Sequence, residues 1–319
     1  MLRLRLERIS RAEWESIFEK AVIKNISQDW VFGEIKSSLN GVEVTRFKIV
    51  DNSNVLGIFQ AYVKKIPFLP LRVVYINRGP IFLSTTEDLF IQSSFNLICS
   101  TFSVFKGYLM LINPFLVSCN ENYALLKKSG LIGIRKREYI TSYVNLKSEL
   151  EVLRKNFNSK WRNQLVVSEK NSICIKIDLS GVYLDFVIEK HSQMMIANKF
   201  KGLSSDEIRL LFKRYSEVNQ LFSFIAIDEN SNLIAYTIVL GYGKHAVYLM
   251  GWVDIEARKL NPSNLLLWNA IVFLKTKGYI SFDLGGIDPV NLPGVSKFKR
   301  GISGQEYIYT ENWINIRLI

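Results

Sequence analysis

Histidine and cysteine are scarce in this sequence of 319 residues, which contains two histidines and three cysteines. The cysteines Cys99, Cys119 and Cys174 are scattered and form no CxxC pair, so we expect reduced structural thiols rather than disulfides. His191 and His245 do not stand at the spacing of metal ligands. The sequence therefore predicts neither a metal site nor a catalytic triad built on histidine.

Long hydrophobic runs are also missing, although 48% of the residues are hydrophobic. The nearest approach, residues 95–119, is interrupted by Lys106 and Pro114, and it is typical of a helix followed by a buried strand. The N-terminus alternates charged residues with leucine and lacks the apolar core of a signal peptide. We therefore expect a cytoplasmic protein whose length suits two domains or one large one.

Acidic residues are too few to balance the basic ones, and the net charge is +12. The excess is spread over both halves, without a long basic tail. It favours an anionic partner, either nucleic acid, a phosphorylated precursor or an acidic membrane surface. A generic basic surface explains the same charge, and no RNA-binding motif decides between the two.

The two halves of the chain repeat one pattern. Strand-like segments at 55–59 and 73–76 precede a helix and then Lys106-Gly107-Tyr108; segments at 233–236 and 247–249 precede a helix and then Lys277-Gly278-Tyr279. In each KGY triplet, lysine favours a helix C-terminus, glycine suits the left-handed cap and tyrosine opens a strand. The pattern predicts tandem copies of one unit that contains two antiparallel strands, a helix and a further strand.

Two further helices are predicted between these segments. The first spans about residues 146–170, where apolar residues recur every three or four positions. Its other faces carry Lys160, Arg162 and Lys170, which suit either a solvated surface or a phosphate-rich ligand. The second spans about 205–219 and begins at a capping pattern that starts with Ser204.

Residues 282–301, FDLGGIDPVNLPGVSKFKRG, combine a glycine-rich strand end with a basic cluster. Glycines at this position allow a ligand to approach the backbone closely. The cluster at 297–301 suits an anionic ligand or negative charge that develops during a reaction. Asp283 and Asp288 are candidates for a general base, and turn capping is the alternative for both.

Four segments resemble the Fem family of aminoacyl-tRNA-dependent peptidyltransferases, which build peptidoglycan cross-bridges. They are Ile26-Ser27-Gln28-Asp29-Trp30 with Gly33 to Lys36, Tyr75 to Pro80, Lys160 to Leu165 with Glu169-Lys170, and Asp283 to Ile287 with Phe298 to Gly301. The resemblance implies an α+β protein with two tandem acetyltransferase-like (GNAT) domains, whose mixed, mostly antiparallel sheets are flanked by helices. The absence of a heptad run predicts that it has no coiled-coil arm.

The same resemblance implies a division of labour and a reaction. Residues 1–144 would bind the precursor, and residues 145–319 would bind the aminoacyl donor and perform the catalysis. An amine of a lipid-linked or nucleotide-linked cell-wall precursor would attack the ester carbonyl of aminoacyl-tRNA, without a cofactor or metal. A lipid-linked acceptor would bring the protein to the inner membrane face, which its positive charge favours.

Site residues follow from this resemblance and from the residue types. Lys299 would lie beside the ester carbonyl and stabilise the oxyanion, Asp283 is the second catalytic candidate, and Phe298 would face the terminal adenine. The further substrate-binding candidates are Lys36 and Trp30 for the precursor's phosphates and sugar, together with Arg78 and Arg300.

Two other functions remain open. An acyl-CoA-dependent GNAT would cradle pyrophosphate on a glycine-containing loop, whereas the matching turn at 256–263 contains no glycine. A non-enzymatic pair of GNAT domains that binds RNA or envelope components is the third hypothesis. The counterpart of the glycine-rich strand end in the first half, residues 109–114, lacks both the glycine pair and the basic cluster. We therefore expect the chemistry in the second unit.

Overall fold

The computed structural model describes residues 3–83, 88–134 and 139–316. Contacts divide the chain into two compact units. The first comprises the chain up to Tyr139 together with the residues from Ile308 onward, and the second comprises Ile140–Tyr307. This division lies close to the predicted one between residues 144 and 145, but it returns the C-terminal residues to the first unit.

Strands and helices are numbered here in chain order. The strands are β1 (Leu4–Arg8), β2 (Glu43–Asp51), β3 (Asn54–Lys65), β4 (Arg72–Asn77), β5 (Ile81–Phe82), β6 (Tyr108–Asn113), β7 (Ile132–Gly133), β8 (Tyr139–Asn145), β9 (Cys174–Asp178), β10 (Leu221–Ile227), β11 (Leu233–Tyr242), β12 (His245–Val253), β13 (Ser281–Ile287), β14 (Gln305–Tyr309) and β15 (Trp313–Asn315). The helices are α1 (Arg11–Lys20), α2 (Trp30–Asn40), α3 (Asp88–Thr101), α4 (Asn120–Lys128), α5 (Leu150–Asn156), α6 (Ser159–Lys170), α7 (Leu184–Asn198), α8 (Ser205–Glu217), α9 (Pro262–Thr276) and α10 (Pro293–Arg300).

The sheet of the first unit has the order β1-β2-β3-β4-β6-β15-β7, and β5 pairs with β3. Only the pairing of β4 with β6 is parallel among the described strand pairs of this sheet. The last strand, β15, lies between β6 and β7 and pairs with both. Its Trp313 is 1% exposed in the core. This burial is the physical reason why the C-terminus belongs to the first unit rather than to the range 145–319.

The sheet of the second unit has the order β14-β8-β13-β12-β11-β10-β9. Helices α5, α6 and α9 pack their apolar residues against it, and Phe157, Trp161, Leu165 and Ile271 lie in one buried core with Phe282 of β13. The parallel pairing of β12 with β13 covers only residues 245–247 and 281–283. The described ladder between the two strands ends at these residues.

The predicted repeat is confirmed by the topology. The series β3, β4, α3, β6 in the first unit corresponds to β11, β12, α9, β13 in the second. In both series the first two strands are antiparallel, and the strand after the helix runs parallel to the second. Gly107 and Gly278 have φ values of 75° and 81°, as the left-handed cap requires. The predicted α+β class is likewise confirmed.

Three segments differ in detail from the prediction or refine it. The helix expected over 146–170 is two helices, because Phe157 is extended and the Asn158 side chain caps α6 through the amide of Lys160 at 3.0 Å. Helix α8 begins as expected at a capping box between Ser204 and Glu207. The basic cluster forms the last part of α10 and its C-terminal cap. Among the described residues, no helix combines the length and the apolarity needed to cross a bilayer.

Candidate functional site

One glycine, Gly285, lies just beyond the point where the pairing of β12 with β13 ends. Gly285 has a φ of +71°, and a Cβ atom at this position would lie 2.9 Å from the carbonyl oxygen of Tyr248. Both the backbone conformation and the space therefore require glycine. On the other side of β13, the register with β8 shifts between Asp283 and Gly286, which marks a bulge. At this bulge the Gly286 carbonyl accepts a hydrogen bond from Lys299 of α10.

Asp283 lies inside this bulge and is 2% exposed. Its carboxylate accepts a hydrogen bond from the Gly285 amide at 2.8 Å and one from the hydroxyl of Thr141. Burial raises the pKa of Asp283, while these hydrogen bonds and the nearby Lys299 ammonium oppose that rise. The carboxylate thus ties β13 to β8 at the point where the register shifts.

Lys299 reaches the same bulge from α10 and is 7% exposed. Its Nζ donates to the Gly286 carbonyl at 2.8 Å and lies 5.2 Å from the centre of the Tyr248 ring. Burial lowers the pKa of Lys299 to about 8, and the attraction of Asp283 partly opposes this shift. At neutral pH most of the molecules carry the ammonium, but its charge is lost at mildly basic pH.

Beside α10 a cavity of about 480 Å³ opens between the starts of α6 and α10. Its charged and aromatic lining comprises Lys160, Trp161, Lys297, Phe298 and Arg300. Phe298 is half-buried, with its ring 6.0 Å from that of Trp161. A Cβ atom on Gly301 would lie 2.5 Å from Cδ1 of Trp161, so this glycine permits close packing of α10 on α6.

The polar groups of this cavity differ in their availability. Arg300 donates to Glu306 at 2.7 Å and 3.0 Å, so its charge is already paired. The Ser296 hydroxyl and the Trp161 indole N–H are buried and have no hydrogen-bond partner among the described residues. Lys160 and Lys297 are exposed at the cavity. An anionic ligand that also offers acceptors and an aromatic face matches this lining.

In the first unit, Trp30 begins α2 and is held on two sides. Its indole Nε1 donates to Glu34 at 2.7 Å, and the Arg46 guanidinium lies 3.5 Å from the ring centre. Arg46 also donates to the Trp30 carbonyl at 3.0 Å and to Gln60 at 3.2 Å. Burial lowers the pKa of Arg46 to about 10. A half-buried, fixed indole results.

The remaining candidates of the first unit are Lys36 and Arg78. Lys36 lies further along α2, half-buried, with its ammonium 5.4 Å from the ring centre of Phe32. Arg78 has a φ of 51°, donates to the Thr310 carbonyl at 3.2 Å and lies 4.4 Å from the ring centre of Tyr139. These contacts give Arg78 a bracing position within the first unit.

The structure also places Asp288, the other candidate base, and the basic residues that were predicted on the helix over about residues 146–170. Asp288 accepts from the amides of Val290 and Asn291 at 3.2 Å and 3.0 Å, which is the geometry of a turn cap. Arg162 donates to the carbonyl of Lys155 at 2.8 Å, and Lys170 is exposed at the end of α6. Of the three basic residues predicted on that helix, only Lys160 lines the described cavity.

Two residues that lie beside Asp283 and Lys299 were not among the sequence-based candidates. Thr141 comes from β8 and Tyr248 from β12, and neither stands in a motif. Burial raises the pKa of Tyr248 to about 12, so its phenol stays protonated at neutral pH. The sequence offered one signal for this cluster. Two glycines that follow an aspartate in a strand are typical of a bulge, and the register shift in β13 is that bulge.

Comparison with known proteins defines the fold of this site. Residues 183–300 match a family model described as an acetyltransferase (GNAT) domain. The crystal structure of FemX covers 98% of this chain and 97% of its own, with a TM-score of 0.83 and 14% identity. No curated protein sequence matches the chain.

Two more distant structures share the arrangement. The C-terminal domain of a putative lysylphosphatidylglycerol synthetase from Agrobacterium fabrum has a TM-score of 0.57 and 12% identity, with 97% of this chain and 93% of that one covered. A tandem GNAT protein from the clavulanic acid biosynthesis pathway has a TM-score of 0.55 and 9% identity, with 98% of both chains covered. These likenesses confirm the predicted tandem GNAT fold, and the resemblance to the Fem family is confirmed at the level of that fold. The prediction of an acyltransferase is confirmed for the domain that residues 183–300 form.

Proposed function

We propose that the protein transfers an aminoacyl group from aminoacyl-tRNA to an amine of a cell-envelope precursor of the peptidoglycan type. The observation that carries the proposal is the buried Lys299 ammonium at the bulge of β13, on the helix that also lines a basic and aromatic cavity, in a fold shared with FemX. An aminoacyl ester is already activated, so positioning and charge stabilisation supply much of the rate.

In the proposed reaction the amine nitrogen of the acceptor forms a bond to the ester carbonyl carbon. The carbonyl oxygen becomes an oxyanion, which the Lys299 ammonium stabilises. The bond from the carbonyl carbon to the ribose oxygen then breaks. The proton released by the amine passes to that leaving oxygen through the substrate itself, so no protein base is required.

Asp283 acts in this proposal as a positioning residue. At 2% exposure it is too buried to meet an incoming amine. Its bonds to Thr141 and to the Gly285 amide fix the bulge whose Gly286 carbonyl holds Lys299. Its negative charge also favours the protonated form of Lys299. Both effects keep the ammonium in place and charged.

The donor's 3′ end would occupy the cavity beside α10. Phe298 would offer its ring face to the terminal adenine, and Lys160 and Lys297 would meet backbone phosphates. Arg300, which is paired with Glu306, would contribute less than these two lysines. Ser296 and Trp161 have donors that sugar or phosphate oxygens would satisfy.

The acceptor would bind to the first unit, where Trp30 and Lys36 lie on α2. A lipid-linked or nucleotide-linked precursor offers phosphates to Lys36 and a sugar face to the fixed indole of Trp30. Arg78 is held by Thr310 and Tyr139, so we propose that it shapes this site rather than binding the precursor. A lipid-linked acceptor would place the protein at the inner face of the membrane.

Acyl transfer from acyl-CoA is the second candidate, and the GNAT match of residues 183–300 favours it. The segment between β12 and α9 speaks against it. Residues 256–260 form a short 3₁₀-helix, and α9 starts at Pro262, which has no amide N–H to offer a pyrophosphate.

A transfer assay distinguishes the two donors. Purified protein is given a lipid-linked or nucleotide-linked cell-wall precursor, with either total tRNA charged with radiolabelled amino acids or labelled acetyl-CoA. We expect label on the precursor from the charged tRNA. Label from acetyl-CoA alone contradicts the proposal and supports the second candidate.

The role of Lys299 is tested in the same assay. Lys299→Ala should lower kcat at least 100-fold, because an oxyanion stabiliser acts mainly on the transition state. Lys213→Ala, an exposed lysine on α8, serves as the matched control and should retain the wild-type rate. Unchanged transfer by a folded Lys299→Ala protein would show that this assignment is wrong.

A further inference from the structure

The turn between β3 and β4 exposes large apolar side chains to solvent. Phe68 is 106% exposed, so its side chain packs on nothing, and Leu69 is 55% exposed. Phe68 also has a φ of 63°, a conformation that glycine adopts easily and a bulky residue rarely. The chain therefore bears an exposed phenylalanine on an unfavourable backbone without a compensating contact. An outlier of this kind points to a use outside the unit itself.

A second turn extends the same surface. The Arg72 amide donates to the Gly107 carbonyl at 2.8 Å, and a Cβ atom on Gly107 would lie 2.8 Å from the Pro70 carbonyl oxygen. The turn that ends at Gly107 thus lies against the β3–β4 turn. It adds Phe105, which is 72% exposed. Three large apolar side chains therefore project from adjoining turns, and we name residues 64–72 with Phe105 and Lys106 the tip surface.

Cations frame these apolar side chains. Lys64 and Lys65 end β3, Arg72 begins β4 opposite Lys65, and Lys106 follows Phe105. All four residues are exposed. The sequence contains no aspartate or glutamate from residue 53 to residue 86 or from 102 to 118. Within these two chain segments the charge is therefore of one sign, and Glu43 of β2 lies opposite Val63, next to Lys64.

We propose that the tip surface docks on an anionic lipid bilayer. Phe68, Leu69 and Phe105 would enter the boundary between headgroups and acyl chains, while the four cations would meet the anionic headgroups. Adjoining turns that expose one aliphatic and two aromatic side chains match a plane that accepts apolar groups. Single-stranded RNA, by contrast, is bound in grooves that stack its bases. The inference rests on the proposed function in one respect, since a lipid-linked acceptor would be the reason for the protein to reach a membrane.

Vesicle binding tests the proposal without any substrate. The full-length protein is sedimented with vesicles of phosphatidylcholine alone or of phosphatidylcholine mixed with phosphatidylglycerol. We expect binding to the mixed vesicles that weakens as salt is added, since exposed charges are screened. The double variant Phe68→Ser/Leu69→Ser should reduce this binding at least tenfold, and Lys64→Gln/Lys65→Gln should reduce it by a similar factor.

Matched controls come from the second unit. Val182→Ser/Val290→Ser removes two side chains that are 78% and 84% exposed, and it should leave vesicle binding unchanged. Because Phe68 makes no packing contact, its variants should unfold at the same urea concentration as the wild type. A Phe68→Trp protein gives a local readout, since insertion should shift its emission to shorter wavelength with mixed vesicles.

Three outcomes would overturn the proposal. The first is equal binding to both kinds of vesicle, and the second is full binding by Phe68→Ser/Leu69→Ser. The third is loss of tRNA or protein binding by the tip variants while vesicle binding is retained. Failure of the transfer reaction is distinguishable, because none of these measurements requires an acyl group to be transferred.

Discussion

At the scale of single residues, the site depends on a lysine whose charge is costly to bury. Lys299 keeps its ammonium because the Gly286 carbonyl accepts from it, the Tyr248 ring faces it and Asp283 is near. An amine with a pKa near 8 is charged when the pH is neutral and neutral when the pH is basic. This property gives Lys299 a measurable signature.

The first prediction concerns pH. If the charged form stabilises the oxyanion, the transfer rate should fall as pH rises through about 8. The stability effect has the opposite sign. The folded pKa lies below the ordinary value of 10.5, so between these values the unfolded chain holds the proton more tightly, and the free energy of unfolding should rise with pH.

Both effects are measured against variants at position 299. Relative to Lys299→Met, the free energy of unfolding of the wild type should rise by up to about 3 kcal/mol between pH 8 and pH 10.5. Lys299→Arg, which stays charged, should show no fall in rate near pH 8. A wild-type rate that stays constant from about pH 7 to about pH 10 would contradict the role of the ammonium.

At the scale of elements, strand β13 and helix α10 act together. The bulge requires Gly285, and the short α10 returns Lys299 to that bulge within the same part of the chain. The sequence offered this pairing because both parts lie in one stretch of 20 residues, from Phe282 to Gly301. What it did not offer are the contributions of β8 and β12, since Thr141 and Tyr248 reach the site only through strand pairing.

Glycine substitutions test the bulge with a built-in control. Gly285 and Gly278 both have positive φ, but only Gly285 has no room for a Cβ atom. Gly278→Ala should cost about 1 kcal/mol of stability, because a positive φ is unfavourable for a residue with a Cβ atom. Gly285→Ala should cost a further 1–3 kcal/mol, roughly the penalty of overpacking, and should also lower the transfer rate.

Urea unfolding and the transfer assay measure the two proteins side by side. We expect Gly278→Ala to keep its rate while Gly285→Ala loses it, since only the latter displaces the strand that holds Lys299. Equal losses of stability and equal rates for the two variants would show that the contact of Gly285 with the Tyr248 carbonyl tolerates a methyl group.

At the scale of the whole molecule, the chain contains two copies of one series of strands and helix. The repeat was predictable because each copy keeps its KGY triplet, where the helix cap and the next strand depend on neighbouring residues alone. The return of the C-terminus to the first unit was not predictable in this way. It depends on β15 pairing with β6 about 200 residues earlier, and only tertiary packing determines that pairing.

The last prediction follows from this return of the chain. Trp313 is 1% exposed and lies against Tyr123, with ring centres 5.7 Å apart, while Asn315 donates to the carbonyls of Cys99 and Phe102 at 2.8 Å and 3.0 Å. Trp313→Ala should destabilise the first unit by about 3–5 kcal/mol, the usual cost of removing a buried aromatic side chain.

Hydrogen exchange measures where the stability is lost. In the Trp313→Ala protein it should accelerate in β6, β15 and α3 but not in β10–β12. Trp268→Ala, a half-buried tryptophan of the second unit, should give the reverse pattern. Faster exchange in β10–β12 of the Trp313→Ala protein would show that the C-terminal strand stabilises the second unit instead.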